Sequence, residues 1–245
     1  MIIFEVKDSN RPRLQSATEM ANSCRMKLST KLSLAIVAIC VAVMAVRFAP
    51  NLLLWPFSHQ VGVVRIYAES PIPPQATAII RSALHYRSRS PIAGPPTAQN
   101  IYLTNGGWRW RLLALTASDA FAVSIPVVEN IIVNASSIDR NEIRLRTGRA
   151  FGGVRPLDRV LAHEMTHATI RKHFGAFKSL LKPTWLIEGY CDYVADNSSL
   201  TGEQLRQLKS SGEDHPAIPY IEGRMRIAEL LQQRGMTVDR LFSQF

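Results

Sequence analysis

The sequence predicts an α+β domain, with a small sheet in its N-terminal half and helices in its C-terminal half, preceded by one transmembrane helix. Three observations carry this reading. Short strand-like runs alternate with helical segments as far as Val133, only helical patterns recur beyond Asp158, and one stretch near the N-terminus is apolar on every face. The chain has 245 residues, 47% hydrophobic and 20% charged, which suits one well-cored domain with an addition and excludes disorder throughout.

Leu32 to Val46 contains no charge, and Ser33 is its one polar residue. If Arg47 snorkels, the stretch continues through Ala49, about the length a tilted helix needs to cross a bilayer. Leu52, Leu53, Leu54, Trp55 and Phe57 follow, as an interfacial anchor would. A signal peptide cut after Ala45 is the alternative, but the apolar run is long for one. Arg11, Arg13, Arg25, Lys27 and Lys31 place the N-terminal side in the cytoplasm. The expected organisation is a cytoplasmic basic tail (1–31), a single-pass anchor in the inner or plasma membrane (32–49), a juxtamembrane linker (50–60) and one domain (61–245) in the periplasm or outside the cell. Met26 is a second possible start.

Val61 to Tyr67 alternates apolar with small or polar residues and reads as a strand. Pro73 to Tyr86 begins with prolines and carries Ile79, Ile80, Ala83 and Leu84 at helical spacing. Ile101–Leu103 reads as a strand before the Asn105-Gly106-Gly107 turn, and Trp108–Leu115 as a helix. Phe121–Ile125 and Asn130–Val133 are two more strands. Helices are expected at Asp158–Phe174, Thr184–Ala195, Gly202–Lys209, Tyr220–Arg234 and Val238–Phe245.

Lysine and arginine total 29 against 19 acidic residues, a formal charge of +10. Before Pro50 there are 7 basic and 3 acidic residues, and after it 22 and 16, so the excess is spread thinly and no nucleic-acid partner is expected. Trp108-Arg109-Trp110-Arg111 reads as packing, and Arg144, Arg146 and Arg149 as a solvated or lipid-facing edge. Cys24, Cys40 and Cys191 lie far apart and suggest neither a disulfide framework nor a thiolate metal site. Cys191 reads as a small buried residue.

The chemistry-bearing feature is His163-Glu164-Met165-Thr166-His167. Four helical residues advance about 400°, so both imidazoles project from one face and can bind one metal ion, with Glu164 beside them to take a proton from water. A third ligand is needed. Glu188 lies on a second predicted helix within Trp185-Leu186-Ile187-Glu188-Gly189-Tyr190-Cys191-Asp192-Tyr193. Asp192, four residues on, shares its face and is placed to hold the back nitrogen of a ligand histidine. His173 is the rival, ten residues after His163, but Ile170 stands where a glycine would release the chain, and an unbroken helix turns His173 about 120° away from His167. It reads instead as a cation at a helix C-terminus.

From Val154 to Ala195 the chain resembles the gluzincin metallopeptidases, especially small domains similar to the catalytic core of aminopeptidase N and thermolysin. The resemblance implies a zincin-like domain with one Zn²⁺ held by His163, His167 and Glu188, Glu164 as general base, and Asp192 as the acid behind a ligand. It also implies a peptide or protein substrate lying in a cleft along a sheet edge, with Asn130–Val133 the expected edge. No Gly-x-Met-Glu-Asn segment is present, so an endopeptidase is expected over an exopeptidase. Tyr193, His215 and Tyr220 are the candidates for stabilising the oxyanion. An intramembrane protease is disfavoured because Arg159, Arg171 and Lys172 flank the motif. A module that retains the metal site without catalysis is the remaining alternative.

Overall fold

The computed structural model describes residues 31–145 and 150–245. The basic tail before Lys31, Met26, Arg146 and Arg149 lie outside the described residues. The first element, α1 (Lys31–Phe48), is long and apolar enough to cross a membrane, and none of it is buried. The chain forms two compact units that divide between Val46 and Arg47.

The second unit has an α+β fold. A 3₁₀ turn (Pro50–Leu53) leads into β1 (Phe57–Val61) and β2 (Val64–Ala68), an antiparallel hairpin turned by Gly62 at φ 58°. Next come α2 (Ala76–Ser88), β3 (Gln99–Leu103), α3 (Trp108–Ala114), β4 (Ala122–Ile125) and β5 (Asn130–Val133). The sheet order is β1-β2-β3-β5-β4, with β2, β3 and β5 parallel and β4 antiparallel at the edge. A second antiparallel sheet follows, from β6 (Ser136–Ser137), β7 (Glu142–Arg144) and β8 (Val154–Pro156). Then come helices only: α4 (Leu157–Phe174), α5 (Ala176–Leu180), α6 (Thr184–Ala195), α7 (Gly202–Ser211), α8 (Ile218–Ala228), a π-helical turn (Glu229–Gln233) and α9 (Val238–Gln244).

Alternation in β2 turns Val64, Ile66 and Ala68 inward, where with Ile101, Ile131 and Val133 they meet Ile79, Ile80 and Ala83 of α2 and Val160, Leu161 and Met165 of α4. The far end of α4 enters a second core, in which Ile170 packs with Leu186, Tyr190 and Cys191 of α6, Ile227 of α8, and Leu241 and Phe242 of α9. A helix shared by two cores cannot rotate without disturbing both, which makes α4 a rigid carrier for the motif it bears.

Most predicted elements are present within a few residues of their expected ends. The predicted strand Val61–Tyr67 is instead the second half of a hairpin, because Gly62 turns the chain inside it. Its partner β1 is exposed over four of five residues and so carries no apolar alternation to read. The two- and three-residue strands β6 to β8 and the five-residue α5 were too short to register as periods.

Candidate metal centre

The motif helix starts where Asn141, itself left-handed at φ 48°, caps it: Leu157 N–H donates to the Asn141 carbonyl (3.0 Å) and Asp158 N–H to Asn141 Oδ1 (3.0 Å). Asp158, in the first turn, accepts from Ser82 Oγ and Asn141 Nδ2. At the other end Gly175, at φ 92°, lets the chain leave, and its N–H donates to the Arg171 carbonyl.

Along this helix His163 and His167 face the same way, with Nε2 atoms 3.2 Å apart. His163 Nε2 is also 3.2 Å from Glu188 Oε2, and His167 Nε2 is 3.6 Å from Glu188 Oε1. Donor atoms about 2.0–2.1 Å from one tetrahedral ion stand about 3.3 Å from each other, so these three groups have the spacing of ligands around a single cation. His163, His167 and Cys191 form a further grouping, with ligand atoms all within 4.8 Å, that is able to hold a metal ion. Glu188 and Cys191 differ in readiness. Burial and the nearby carboxylates Glu188, Glu164 and Asp192 push the Cys191 thiol well above its usual value, so an incoming ion would have to displace its proton. Burial works against ionised Glu188 as well, yet the neighbouring histidines outweigh it and hold its carboxyl below the ordinary value.

Behind the histidines stands a buried relay of polar groups. His163 Nδ1–H donates to Asp192 Oδ1 (2.7 Å), which fixes the ring and leaves Nε2 facing the cluster. The same oxygen accepts from Arg155 Nη2 (2.9 Å), and Asp192 Oδ2 accepts from Ser198 Oγ (2.6 Å). Burial alone would raise the Asp192 pKa, but Arg155, His163 and Ser198 together hold it well below the carboxylate range. For His163, burial disfavours the imidazolium, yet hydrogen bonds and charge from Asp192 and Glu188 push its pKa up to about 10. His167 moves the other way, lowered first by burial.

Glu164, buried and with no hydrogen-bond partner among the described residues, lines a cavity of about 1400 Å³ together with His163, His167 and Glu188. β4 lines it too, through Ala122, Val123 and Ser124. The sheet edge beside the cleft is therefore β4 and not Asn130–Val133, which is paired on both sides by β3 and β4.

The three oxyanion candidates are placed differently. Tyr220 lines the cavity, and its hydroxyl has no hydrogen-bond partner among the described residues. His215 lines it too, but Nδ1 accepts from Ala217 N–H (3.1 Å) and Nε2–H donates to the Phe151 carbonyl (3.3 Å). Tyr193 packs, partly buried, against the helical core, and its hydroxyl accepts from Gln232 Nε2. His173 is exposed at the end of α4 and pairs with Asp239 (2.7 Å), away from the cluster.

Contact between α6 and α8 sets the depth of Tyr220. A Cβ on Gly189, next to Glu188, would lie 2.4 Å from the Gly223 carbonyl carbon, and one on Gly223 would lie 2.5 Å from the Trp185 oxygen. The backbones thus touch where glycine alone fits, one turn from Tyr220. Sequence reading missed Arg155, Ser198 and Gly223, because each acts through a contact distant in sequence and none belongs to a local period. Compared with models of known protein families and with curated protein sequences, the chain matches none.

Proposed function

We propose that the protein is a membrane-anchored zinc peptidase that hydrolyses peptide bonds with an activated water. The observation that supports this best is the convergence of His163 Nε2, His167 Nε2 and the Glu188 carboxylate at separations of 3.2–3.6 Å, with Glu164, unpaired among the described residues, on the same cavity. The donor set, two imidazole nitrogens and a carboxylate, suits Zn²⁺. Bound there, Zn²⁺ would supply Lewis acidity, which acidifies a water and polarises a carbonyl. Glu164 takes a proton from the attacking water and returns it to the leaving amine. Asp192, neutralised by Arg155, keeps His163 in one tautomer, and Tyr220 donates to the oxygen on which charge develops.

A volume of about 1400 Å³ exceeds the 300–1,000 Å³ typical of small-molecule pockets and suits a stretch of polypeptide, with β4 as the unpaired edge along which it can extend. The basic flank of α1 supports an N-terminus in the cytoplasm and a catalytic domain in the periplasm or outside the cell.

The test is zinc content, thermal stability and cleavage of an unfolded protein by the wild type and by Glu164→Gln. Loss of about 10²–10⁴ in rate with zinc and Tm retained is expected. Unchanged cleavage sinks the assigned base, and no cleavage by either protein favours the non-catalytic zinc- or peptide-binding module.

A further inference from the structure

We propose that the face formed by the turn between β4 and β5, by α5 and by the chain at Phe48 is seated on the headgroup region of a lipid bilayer. Scattered exposed apolar residues are ordinary, but a joined group of them marks an interaction surface. Here Val127 is 83% exposed, Phe177 75%, Leu180 74% and Leu181 71%. Helix α5 is inverted relative to a core-packing helix. Its polar Ser179 is buried, with Oγ donating to the Gly175 carbonyl, and its phenylalanine and leucine point to solvent.

Two contacts tie the β4–β5 turn to what lies beside it, one to α4 just ahead of α5 and one to the chain at Phe48. Arg171, one turn before α5, is ion-paired with Glu129 in the β4–β5 turn. Asn130, the next residue, donates from Nδ2 to the carbonyl of Phe48, which is 40% exposed (3.3 Å).

Charge selects the occupant. No acidic residue occurs between Glu164 and Glu188, and Lys172, Lys178 and Lys182 stand among the apolar residues without an ion pair among the described residues. Apolar side chains interleaved with unpaired lysines suit anionic headgroups over acyl chains, as in interfacial helices. The chain supplies the bilayer as well, because the apolar α1 is continuous in sequence with Phe48. Arg171 also donates to Ser124 of β4 (3.2 Å), and both line the cavity, so seating this face holds the cavity's edge strand beside the membrane. Under the peptidase reading, the accessible substrates are then membrane-proximal stretches of polypeptide.

The inference rests on the anchor reading above, and one sample tests both. The full-length chain is placed in phosphatidylcholine–phosphatidylglycerol vesicles with or without bromine on the acyl chains near the headgroup, as wild type and as Leu180→Trp. The expected result is flotation with the vesicles in both forms, and loss of the added indole emission in brominated vesicles only. Failure to float sinks the anchor reading and the seating with it. Flotation with an added emission that bromine leaves unchanged and aqueous acrylamide quenches overturns the seating alone. So does an emission shielded from both quenchers in a bilayer disc holding two copies, which would assign the face to a second chain.

Discussion

Arg155 Nη2 donates to Asp192 Oδ1 across 2.9 Å, with both side chains sealed from solvent, and this same oxygen receives the Nδ1 proton of His163. The Asp192 carboxylate therefore shares its charge between a permanent cation and a candidate ligand. Removing either member of the Arg155–Asp192 pair has a distinct expected effect. Arg155→Met leaves a buried carboxylate without its cation, at a cost of about 3–5 kcal/mol, and Tm falls by roughly 10 °C. Asp192→Asn keeps the volume but releases the His163 ring, and zinc affinity falls about 10–100-fold. Thermal melts and competitive chelator titrations measure the two. Unchanged zinc affinity in Asp192→Asn would remove Asp192 from the site's chemistry.

Metal binding should release protons. At neutral pH the His163 pKa, pushed up to about 10, leaves a proton on the ring that an incoming ion must displace, whereas His167, lowered, and Glu188, lowered, are already free. Calorimetry of zinc binding near pH 7.5 in buffers of different ionisation enthalpy should report about one proton released per ion, with affinity rising tenfold per pH unit toward pH 10. The metal-free protein has the opposite trend. A histidine pKa raised above its unfolded value of 6.5 contributes stability that is complete below pH 6.5 and is lost as pH rises through about 10. A metal-free Tm that stays level across that range, with no proton release on binding, would contradict the assignment.

How much of this was legible beforehand depended on the range of the interaction. The histidine pair was readable because four residues on one helix fix a common face without tertiary information, and Glu188 and Asp192 repeat that spacing on α6. The core strands were readable because β2, β3 and β5 place side chains in a packed interior with a plain pattern. The cavity wall was not. β4 lines it because β5 inserts between β3 and β4, a pairing order no local pattern encodes, and Arg155 reaches Asp192 from a three-residue strand. Tyr193 and Tyr220 look alike in sequence, but only helix packing sends one to the core and the other to the cavity.

That packing is itself open to test. Gly223→Ala would set a methyl group 2.5 Å from the Trp185 carbonyl oxygen, which is backbone and cannot swing aside, so α8 must move outward. Overpacking of this kind costs about 1–3 kcal/mol. The displacement also carries Tyr220 away from Glu164, so peptide cleavage should fall further than the loss of folded protein accounts for, while zinc content stays constant. Gly212→Ala, on an exposed helix end with open space around the site of the new methyl, is the control. It should lower stability only, through the strain of φ 69°. Equal losses of activity in the two variants would separate the glycine contact from the site.

Tyr220 gives the sharpest test of the cavity's chemistry. Burial, and then the negative charges of Glu188, Asp192 and Glu164, raise its pKa, so the hydroxyl keeps its proton throughout the working pH range and remains a donor. Under the proposed peptidase reading, that donor, with no acceptor among the described residues, is free for an oxygen that would gain charge in the transition state. Tyr220→Phe should therefore lower kcat by about 10²–10³, with KM and zinc content nearly unchanged, because the interaction strengthens only in the transition state. His215→Asn makes the contrast. Both ring nitrogens of His215 are engaged by backbone, and a Cβ on Gly152 would lie 2.9 Å from its ring, so its loss should appear in Tm more than in kcat. Tyr193→Phe loses one exposed hydrogen bond to Gln232 and should alter neither by much. A kcat that survives in Tyr220→Phe and collapses in His215→Asn at constant Tm would reverse the two roles.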